Sequence, residues 1–232
     1  MKTILITQSN YIPWKGYFDA INSANEVMML DDVQYTKRDW RNRNLIKTNN
    51  GVKWLTIPVL VKNKYHQLIS DAVVADSNWA QKHWKIIKQN YSKASCFNEG
   101  KDVLEDLYLD EKQQFLTDIN QKFITRINDF LKIKTKFVKV ELSGFENDKT
   151  NKLVQICQQQ KADKYLCGPA SKQYLNEQKF NENKIEVQYL DYSGYSEYNQ
   201  LHGKFIHEVS IIDLLFNEGS NAYKYLKSFA PK

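Results

Sequence analysis

The fold class is decided by the stretch KTILITQSNYIPWKGYFDAINSANEVMML, residues 2–30. Its first six residues are an apolar run typical of a buried strand, residues 14–24 have a helical spacing, and residues 26–30 form a second apolar run. A strand, a helix and a strand in this order predict a parallel pair joined by a right-handed crossover. Parallel sheets bind ligands at the carboxyl ends of their strands. We therefore expect a site near residues 7–10 and 31–35.

The same alternation of strands and helices continues along the rest of the chain. The apolar patterns predict strands at 52–61, 67–74, 136–140, 165–167 and 185–189, and helices at 79–91, 98–131, 149–160, 171–177 and 210–216. This order predicts an α/β fold with a mostly parallel central sheet and flanking helices, in other words a Rossmann-like fold. We expect one domain over residues 1–232, with a mainly helical insertion at about 77–131.

Composition limits the class of protein and its compartment. Hydrophobic residues make up 42% of the chain and charged residues 26%, as expected for a globular protein and not for a disordered one. The three cysteines, Cys96, Cys157 and Cys167, form no CxxC pair, which argues against a disulfide scaffold and against a zinc site. No apolar run approaches the roughly 18 residues of a membrane span. We expect a cytoplasmic protein.

The segment DDVQYTKRDWRNRN, residues 31–44, contains too few aliphatic side chains for a core element. Its arginines offer bidentate donors to phosphate or carboxylate, while Tyr35 and Trp40 offer stacking faces for a base or a sugar. The alternative is an exposed loop held by Asp–Arg pairs. Asp31 and Asp32, at a strand end, are also suited to Mg²⁺ beside phosphates, or to a simple cap and turn.

The loop QSNYIPWKGYF, residues 8–18, lies between the first strand and the first helix. A helix N-terminus carries partial positive charge, so this junction is suited to bind an anion. The alternative is an aromatic cluster that wedges the helix onto the sheet. That alternative explains Trp14 and Phe18 well, but it explains Gln8, Asn10 and Lys15 poorly.

Two further segments carry groups suited to catalysis. His202, in YNQLHGKF, stands on a predicted loop and could act as a general base near pH 7, although a loop histidine is often simply a surface residue. Cys167, in YLCGPASK, precedes a predicted helix with Lys172 in its first turn, where the helix dipole could activate a thiol. A small buried residue at a strand end is the favoured interpretation of Cys167.

At these motifs the sequence resembles the WbqC-like family, which comprises bacterial proteins encoded among genes for the biosynthesis of O-antigen, the polysaccharide of lipopolysaccharide, and of other surface glycans. The resemblance runs nearly end to end. It is carried by SNYIPWKGYFDAI (9–21), LDDVQYTKRDWRNRNLIKTNNGVKWLTIPV (30–59), HWKIIKQNYSKA (83–94), ADKYLCGPASKQYL (162–175), and YNQLHGKF with VSIIDLLFN (198–217).

The sequence departs from the family pattern at two places. A His-Gln-Pro often stands in the family where this chain has Thr7, Gln8 and Ser9, so a base supplied by that histidine is absent. A serine commonly stands at the position of Cys167, which weakens the hypothesis of a thiol nucleophile. The absence of that histidine shifts the predicted role of base onto His202.

The motifs and the resemblance together predict a transferase, an N-acyltransferase that moves an acyl or aminoacyl group onto the amine of a nucleotide-linked amino sugar. The predicted catalytic residues are His202 and Asp32, with no metal ion. The donor would be acyl-CoA or an acyl carrier protein, with aminoacyl-tRNA left open, and other glycan-biosynthesis enzymes would be partners. The residues predicted to bind substrate are Gln8, Asn10, Tyr11, Trp14, Lys15, Tyr35, Arg38, Trp40, Arg41, Arg43, Lys47, Lys172 and Gln200.

Two other functions stay open at this point. The first strand, loop and helix are loosely similar to nucleotidyltransferases of the HIGH type, although Pro13, Trp14, Lys15 and Gly16 stand where HxGH would be. A non-catalytic protein that binds sugar nucleotides is the other alternative. The net charge of +6 is scattered along the chain, which argues against a nucleic-acid partner.

Overall fold

A computed structural model of the chain describes residues 1–145 and 148–230. In chain order its elements are β1 (Thr3–Thr7), α1 (Lys15–Asn22), β2 (Glu26–Met29), β3 (Arg43–Thr48), β4 (Gly51–Thr56), α2 (Trp79–Tyr91), α3 (Phe97–Leu109), α4 (Leu116–Phe130), β5 (Lys136–Val138), α5 (Lys149–Gln159), β6 (Lys164–Cys167), α6 (Glu177–Glu182), β7 (Glu186–Tyr189) and α7 (Ile211–Glu218). Short 3-10 helices cover Pro169–Gln173, Gly219–Tyr225 and Lys227–Phe229.

The chain divides into two compact units, which we call the sheet unit and the hairpin unit. The sheet unit comprises residues 1–8, 19–30 and 134–194, and the hairpin unit comprises residues 9–18, residues 31–133 and the chain from Tyr195 onward. The helices α2, α3 and α4 all belong to the hairpin unit. A single domain over residues 1–232, with these helices as its insertion, stays a prediction.

The sheet unit is built on five parallel strands in the order β5-β2-β1-β6-β7. Leu5 of β1 pairs with Val27 on one side and with Leu166 on the other, and all three side chains are buried. Such fully apolar central strands are typical of a sheet covered on both faces. The strand order reverses between β1 and β6, as in Rossmann-like folds. The predicted α/β fold with a mostly parallel sheet is therefore confirmed.

The hairpin unit contains the antiparallel pair β3–β4 and four packed helices. The strands pair from Arg43 with Thr56 to Thr48 with Gly51, and Gly51 has a positive φ of 100° at the turn. Aromatic rings join the helices. The stacked pairs include Trp84 with Tyr108, at 5.7 Å between ring centroids, and Tyr91 with Phe216, at 5.0 Å.

Three predicted elements were wrong. Residues 67–74 form isolated bridges and tight turns, not a strand, because Ser70 and Asp71 interrupt the apolar alternation. The helix predicted at 98–131 is two helices, separated by the stretch DEKQQF (110–115), in which only Phe115 is apolar. The helix predicted at 171–177 is a 3-10 helix, and α6 begins only after Asn176, whose side chain caps it.

Strand β3 was missed altogether. Arg43 and Asn44 were assigned to a polar loop, yet they begin a strand whose Ile46 and Lys47 are both buried. Pairing with β4 gives these residues their backbone hydrogen bonds. A neighbouring strand therefore overrides the local composition, as tertiary context often does for strands.

Candidate functional site

The loop that follows β1 is held from within the hairpin unit by Asp31. One carboxylate oxygen of Asp31 accepts a hydrogen bond from the backbone N–H of Ser9 at 2.8 Å, and the other accepts one from the hydroxyl of Thr117. Asn120 donates to the hydroxyl of Ser9 at 3.2 Å. Asp31 is 5% exposed. Both contacts of Asp31 are with residues far along the chain, so Asp31 holds the loop through tertiary hydrogen bonds.

Ile12, in the same loop, has an unusual backbone conformation. Its φ of 37° is strained for a β-branched residue, and its side chain is fully buried. The hydroxyl of Ser210 donates to the carbonyl of Ile12 at 2.7 Å, which helps to hold the strained turn.

Tyr11, predicted to bind substrate, lies in the core of the hairpin unit. Its hydroxyl is 2.9 Å from Nδ1 of His83 and 2.8 Å from the hydroxyl of Tyr108. Tyr11 is fully buried, and burial lowers the pKa of His83 to about 4. His83 is therefore a neutral hydrogen-bonding partner at neutral pH.

Lys15, the first residue of α1, is also buried, in a cage of aromatic rings. Its ammonium donates to the carbonyl of Ser196 at 2.8 Å and lies between 5.2 and 5.5 Å from the ring centroids of Tyr195, Tyr198 and Phe205. Such contacts stabilise a cation away from water. Trp14 packs edge-on against Tyr195 at 5.7 Å.

The predicted basic cluster spreads in several directions. Arg41 donates to the side-chain oxygen of Asn10 and lies 3.7 Å from the carboxylate of Asp39. Lys37 lies over the ring of Tyr65, at 5.5 Å from its centroid. Arg38 is exposed and has a positive φ of 58°.

Tyr35 and Asp32, two further predicted site residues, differ in exposure. Tyr35 is buried, and burial is the main cause that raises its pKa to about 12. Its ring therefore offers no open stacking face. Asp32 is exposed, and its carboxylate accepts a hydrogen bond from Ser70 at 3.3 Å.

Four residues form a surface at the β3–β4 hairpin, which we call the hairpin face: the exposed Trp40, Val52 and Trp54 and the half-buried Arg43. The guanidinium of Arg43 lies 4.0 Å from the centroid of the Trp54 ring, and the rings of Trp40 and Trp54 are 5.4 Å apart. Trp40 is 44% exposed and Trp54 is 41% exposed. Within the described part of the chain, the buried Nε of Arg43 has no hydrogen-bond partner. The hairpin face therefore presents two neighbouring indole rings, with a guanidinium packed against one of them.

A polar groove begins where the hairpin face ends, and we call it the amide groove. Val52 belongs to both surfaces. The residues that line the groove are Thr48, Asn49, Asn50, Val52, Lys53, Gln89 and Asn90. Most of them carry amides or hydroxyls, which both donate and accept hydrogen bonds.

His202 is anchored to a residue of the amide groove. Its Nε2 lies 2.8 Å from the backbone carbonyl of Asn90, the penultimate residue of α2. Since a carbonyl only accepts, Nε2 carries the proton, and the neutral ring keeps a lone pair on Nδ1. This orientation suits a general base.

Lys47 and Gln200, both predicted to bind substrate, contact each other in the interior. The ammonium of Lys47 donates to Oε1 of Gln200 at 2.5 Å and to the carbonyl of Lys204. Lys47 is 2% exposed, and burial lowers its pKa, an effect that the charge of Asp213 opposes. Both residues therefore face protein atoms.

Asp213 is the acidic member of this buried network. Its carboxylate accepts hydrogen bonds from the hydroxyls of Tyr91 at 2.9 Å and Tyr198 at 2.7 Å. It is 1% exposed, and burial raises its pKa. Sequence reasoning missed Asp213, although a single carboxylate within IIDLLF (211–216) was a visible signal.

The sheet unit carries two predicted site residues, Gln8 and Lys172. Gln8 directly follows β1, and Lys172 lies in the 3-10 helix after β6, with its ammonium 4.8 Å from the ring centroid of Tyr189. Cys167 is buried at the end of β6, and burial raises its pKa to about 11. A thiol with this pKa is protonated at neutral pH, which disfavours the hypothesis of a nucleophile.

The predicted site residues thus fall into separate groups. Trp40 and Arg43 come together on the hairpin face with Trp54, which sequence reasoning missed because β3 and its pairing with β4 were not predicted. Lys47 and Gln200 contact each other at the loop that contains His202.

Among the described residues, no group of three or more His, Cys, Asp or Glu side chains is placed to hold a metal ion. None of the helices in residues 1–145 and 148–230 combines the length and the apolar character needed to cross a membrane.

Comparison with known proteins gives a family match and a relative. The sequence model of the WbqC-like protein family matches residues 8–225. The chain is similar to an uncharacterized protein of Mycobacterium tuberculosis (strain ATCC 25618 / H37Rv), Rv1507c, with 44% identity over 227 residues that cover 98% of each chain. No solved structure matches the chain.

Proposed function

The chain belongs to the WbqC-like protein family, and we propose that it transfers an acyl or aminoacyl group to the amine of a nucleotide-linked amino sugar. The reaction would take place in the cytoplasm, during the synthesis of O-antigen or a related bacterial surface polysaccharide. One observation carries the proposal. A single hairpin joins an aromatic and cationic platform to a polar groove, and that groove is lined by the residue that anchors His202.

The hairpin face would bind the nucleotide. Exposed indole rings stack on bases of any sequence, and a guanidinium forms bidentate hydrogen bonds with phosphate. Trp40 and Trp54 would hold the base, while Arg43 would hold the diphosphate. Val52 and Trp54 point to the same side of β4, about 7 Å apart along the strand. The base and the sugar would therefore bind at adjacent sites.

The amide groove would bind the sugar. Sugar hydroxyls both donate and accept hydrogen bonds, as do the side-chain amides of Asn49, Asn50 and Gln89. Several such bonds fix the orientation of the ring. In that orientation the amine of the sugar would face His202.

His202 would act as the general base of the transfer. The neutral amine attacks the carbonyl carbon of the donor, a C–N bond forms, and the C–S bond of a thioester or the C–O bond of an ester breaks. Nδ1 of His202 takes the proton that the amine nitrogen loses and passes it to the leaving thiolate or alkoxide. The scheme assigns no step to Asp32 and none to a metal ion.

The donor would be acyl-CoA or an acyl carrier protein, because both present the acyl group as a thioester. Gln8 and Lys172 would contact ligand in the sheet unit, where the carboxyl ends of parallel strands provide binding positions. Arg38 and Arg41 would add positive charge near the phosphates.

The proposal is tested by a transfer assay with UDP- and dTDP-linked amino sugars and a set of acyl-CoA donors. Mass spectrometry is expected to show the nucleotide sugar gaining the mass of the acyl group with the loss of one hydrogen. The matched control is the same nucleotide sugar with a hydroxyl in place of the amine, which should gain nothing. Binding without turnover across the whole panel would contradict the proposal and favour a non-catalytic binding protein.

Nucleotidyl transfer is the second candidate function. Its support is the Rossmann-like strand order of the sheet unit, in which the order reverses between β1 and β6. Release of pyrophosphate from a nucleoside triphosphate, with no acyl transfer, would reverse the ranking of the two functions.

A further inference from the structure

The loop that presents His202 is closed by one side chain, that of Gln200. Its Oε1 accepts from the backbone N–H of Ile206 at 2.9 Å, and its Nε2 donates to the carbonyl of Ile206 at 2.9 Å. Residues 200 and 206 are therefore joined at the base of the loop. His202 and Gly203 stand between them, and Gly203 has the positive φ, 49°, that this turn requires.

Lys47 holds this loop from the interior of the hairpin unit. Its ammonium donates to the same Oε1 of Gln200 and also to the carbonyl of Lys204, so it contacts the loop on both sides of His202. Charge-assisted hydrogen bonds of this kind are stronger than neutral ones. The loop 200–206 is thereby tied to β3 of the hairpin.

The charge of Lys47 is balanced within the same network. The backbone N–H of Lys47 donates to the hydroxyl of Tyr91, which in turn donates to Asp213, while Nε2 of Gln200 donates to the hydroxyl of Tyr198, which also donates to Asp213. The ammonium of Lys47 is thus linked to Asp213 through Gln200 and Tyr198, and the backbone of Lys47 is linked to it through Tyr91. The charge of Asp213 opposes the lowering of the Lys47 pKa by burial.

We propose that Lys47 is a positioning residue. Its hydrogen bonds keep the loop 200–206 closed and so hold the imidazole of His202 against the carbonyl of Asn90. Without this contact the loop samples other conformations, and the hydrogen bond that fixes the tautomer is lost for part of the time. A base that is only sometimes oriented loses the advantage of a preorganised site. The catalytic consequence rests on the proposed function, whereas the effect on the ring of His202 does not.

The test is the ¹⁵N NMR spectrum of the full chain with labelled histidine. The chain contains four histidines, and a His202→Gln spectrum assigns the signal. In the wild type, His202 is expected as the Nε2–H tautomer. The double variant Lys47→Met with Asp213→Asn removes both buried charges together. Gln200→Ala removes the hydrogen bonds that close the loop and leaves both charges in place. In both variants the His202 signal is expected to shift toward a mixture of the two tautomers.

The control is Lys101→Met, which removes a lysine that pairs with Glu105 on the surface of α3, and it should leave the spectrum unchanged. A His202 signal that stays Nε2–H in both folded variants would overturn the proposal. In the transfer assay, kcat is expected to fall by about 10- to 100-fold in both variants, with KM unchanged within about twofold. A shifted tautomer in proteins that show no transfer activity would support the positioning role and overturn the proposed function.

Discussion

Lys47→Met alone is expected to destabilise the protein by about 3–5 kcal/mol, since it removes the buried donor to Gln200 and Lys204 and leaves the buried carboxyl of Asp213 without its nearby cation. Asp213 is 1% exposed, so water does not replace the lost cation. Urea unfolding followed by circular dichroism measures the effect. The double variant Lys47→Met with Asp213→Asn should lose much less stability, and Lys101→Met should change it by no more than about 0.5 kcal/mol. A single variant as stable as Lys101→Met would contradict the account of the network.

The loss of folding stability in Lys47→Met should also depend on pH. Burial already raises the pKa of Asp213, and loss of the nearby cation raises it further. A carboxyl whose pKa is higher in the folded state than in the unfolded state binds more protons when folded, so its contribution to stability is lost as pH rises. The single variant should therefore be closest to the wild type in mild acid and furthest from it at alkaline pH.

His202→Ala is expected to lower kcat by about 10²- to 10⁴-fold, the usual contribution of a general base. The affinity for the nucleotide sugar should change by less than about threefold, because the hairpin face and the amide groove stay intact. The transfer assay gives kcat, and calorimetry gives the dissociation constant. The matched control is His66→Ala, which removes an exposed loop histidine. Unchanged turnover in His202→Ala would remove His202 from the mechanism.

The sheet unit was predictable because its strands are continuous apolar runs. The strands at 3–7 and 26–29 lie where the apolar runs predicted them, with their central residues buried, and the helices at 79–91 and 149–159 match their apolar spacing closely. These patterns follow from burial on both faces of a parallel sheet and on one face of each helix. These apolar patterns can be read without knowing which distant residue packs against each strand or helix.

The hairpin was not predictable for the opposite reason. Arg43 and Asn44 begin a strand only because β4 supplies its hydrogen-bond partners, and almost all of β4 is exposed. Lys47 was counted with the basic residues of the surface, since nothing local shows that its ammonium is buried beside Gln200. The position of a long cationic side chain depends on tertiary contacts, and a single sequence does not contain them.

The most direct test of the central claim is a thermal-shift titration of UDP- and dTDP-linked amino sugars with the wild type, Trp54→Ala and Tyr174→Ala. Tyr174 is 53% exposed and belongs to the sheet unit, so it serves as the matched aromatic control. Ligand at 100 times its Kd stabilises the native state by about 2.7 kcal/mol. Loss of one stacking ring should cost about 1–3 kcal/mol of binding. The account predicts a clear rise in Tm for the wild type and Tyr174→Ala and a much smaller rise for Trp54→Ala. Equal rises in all three proteins, or no rise with any nucleotide sugar, would contradict it.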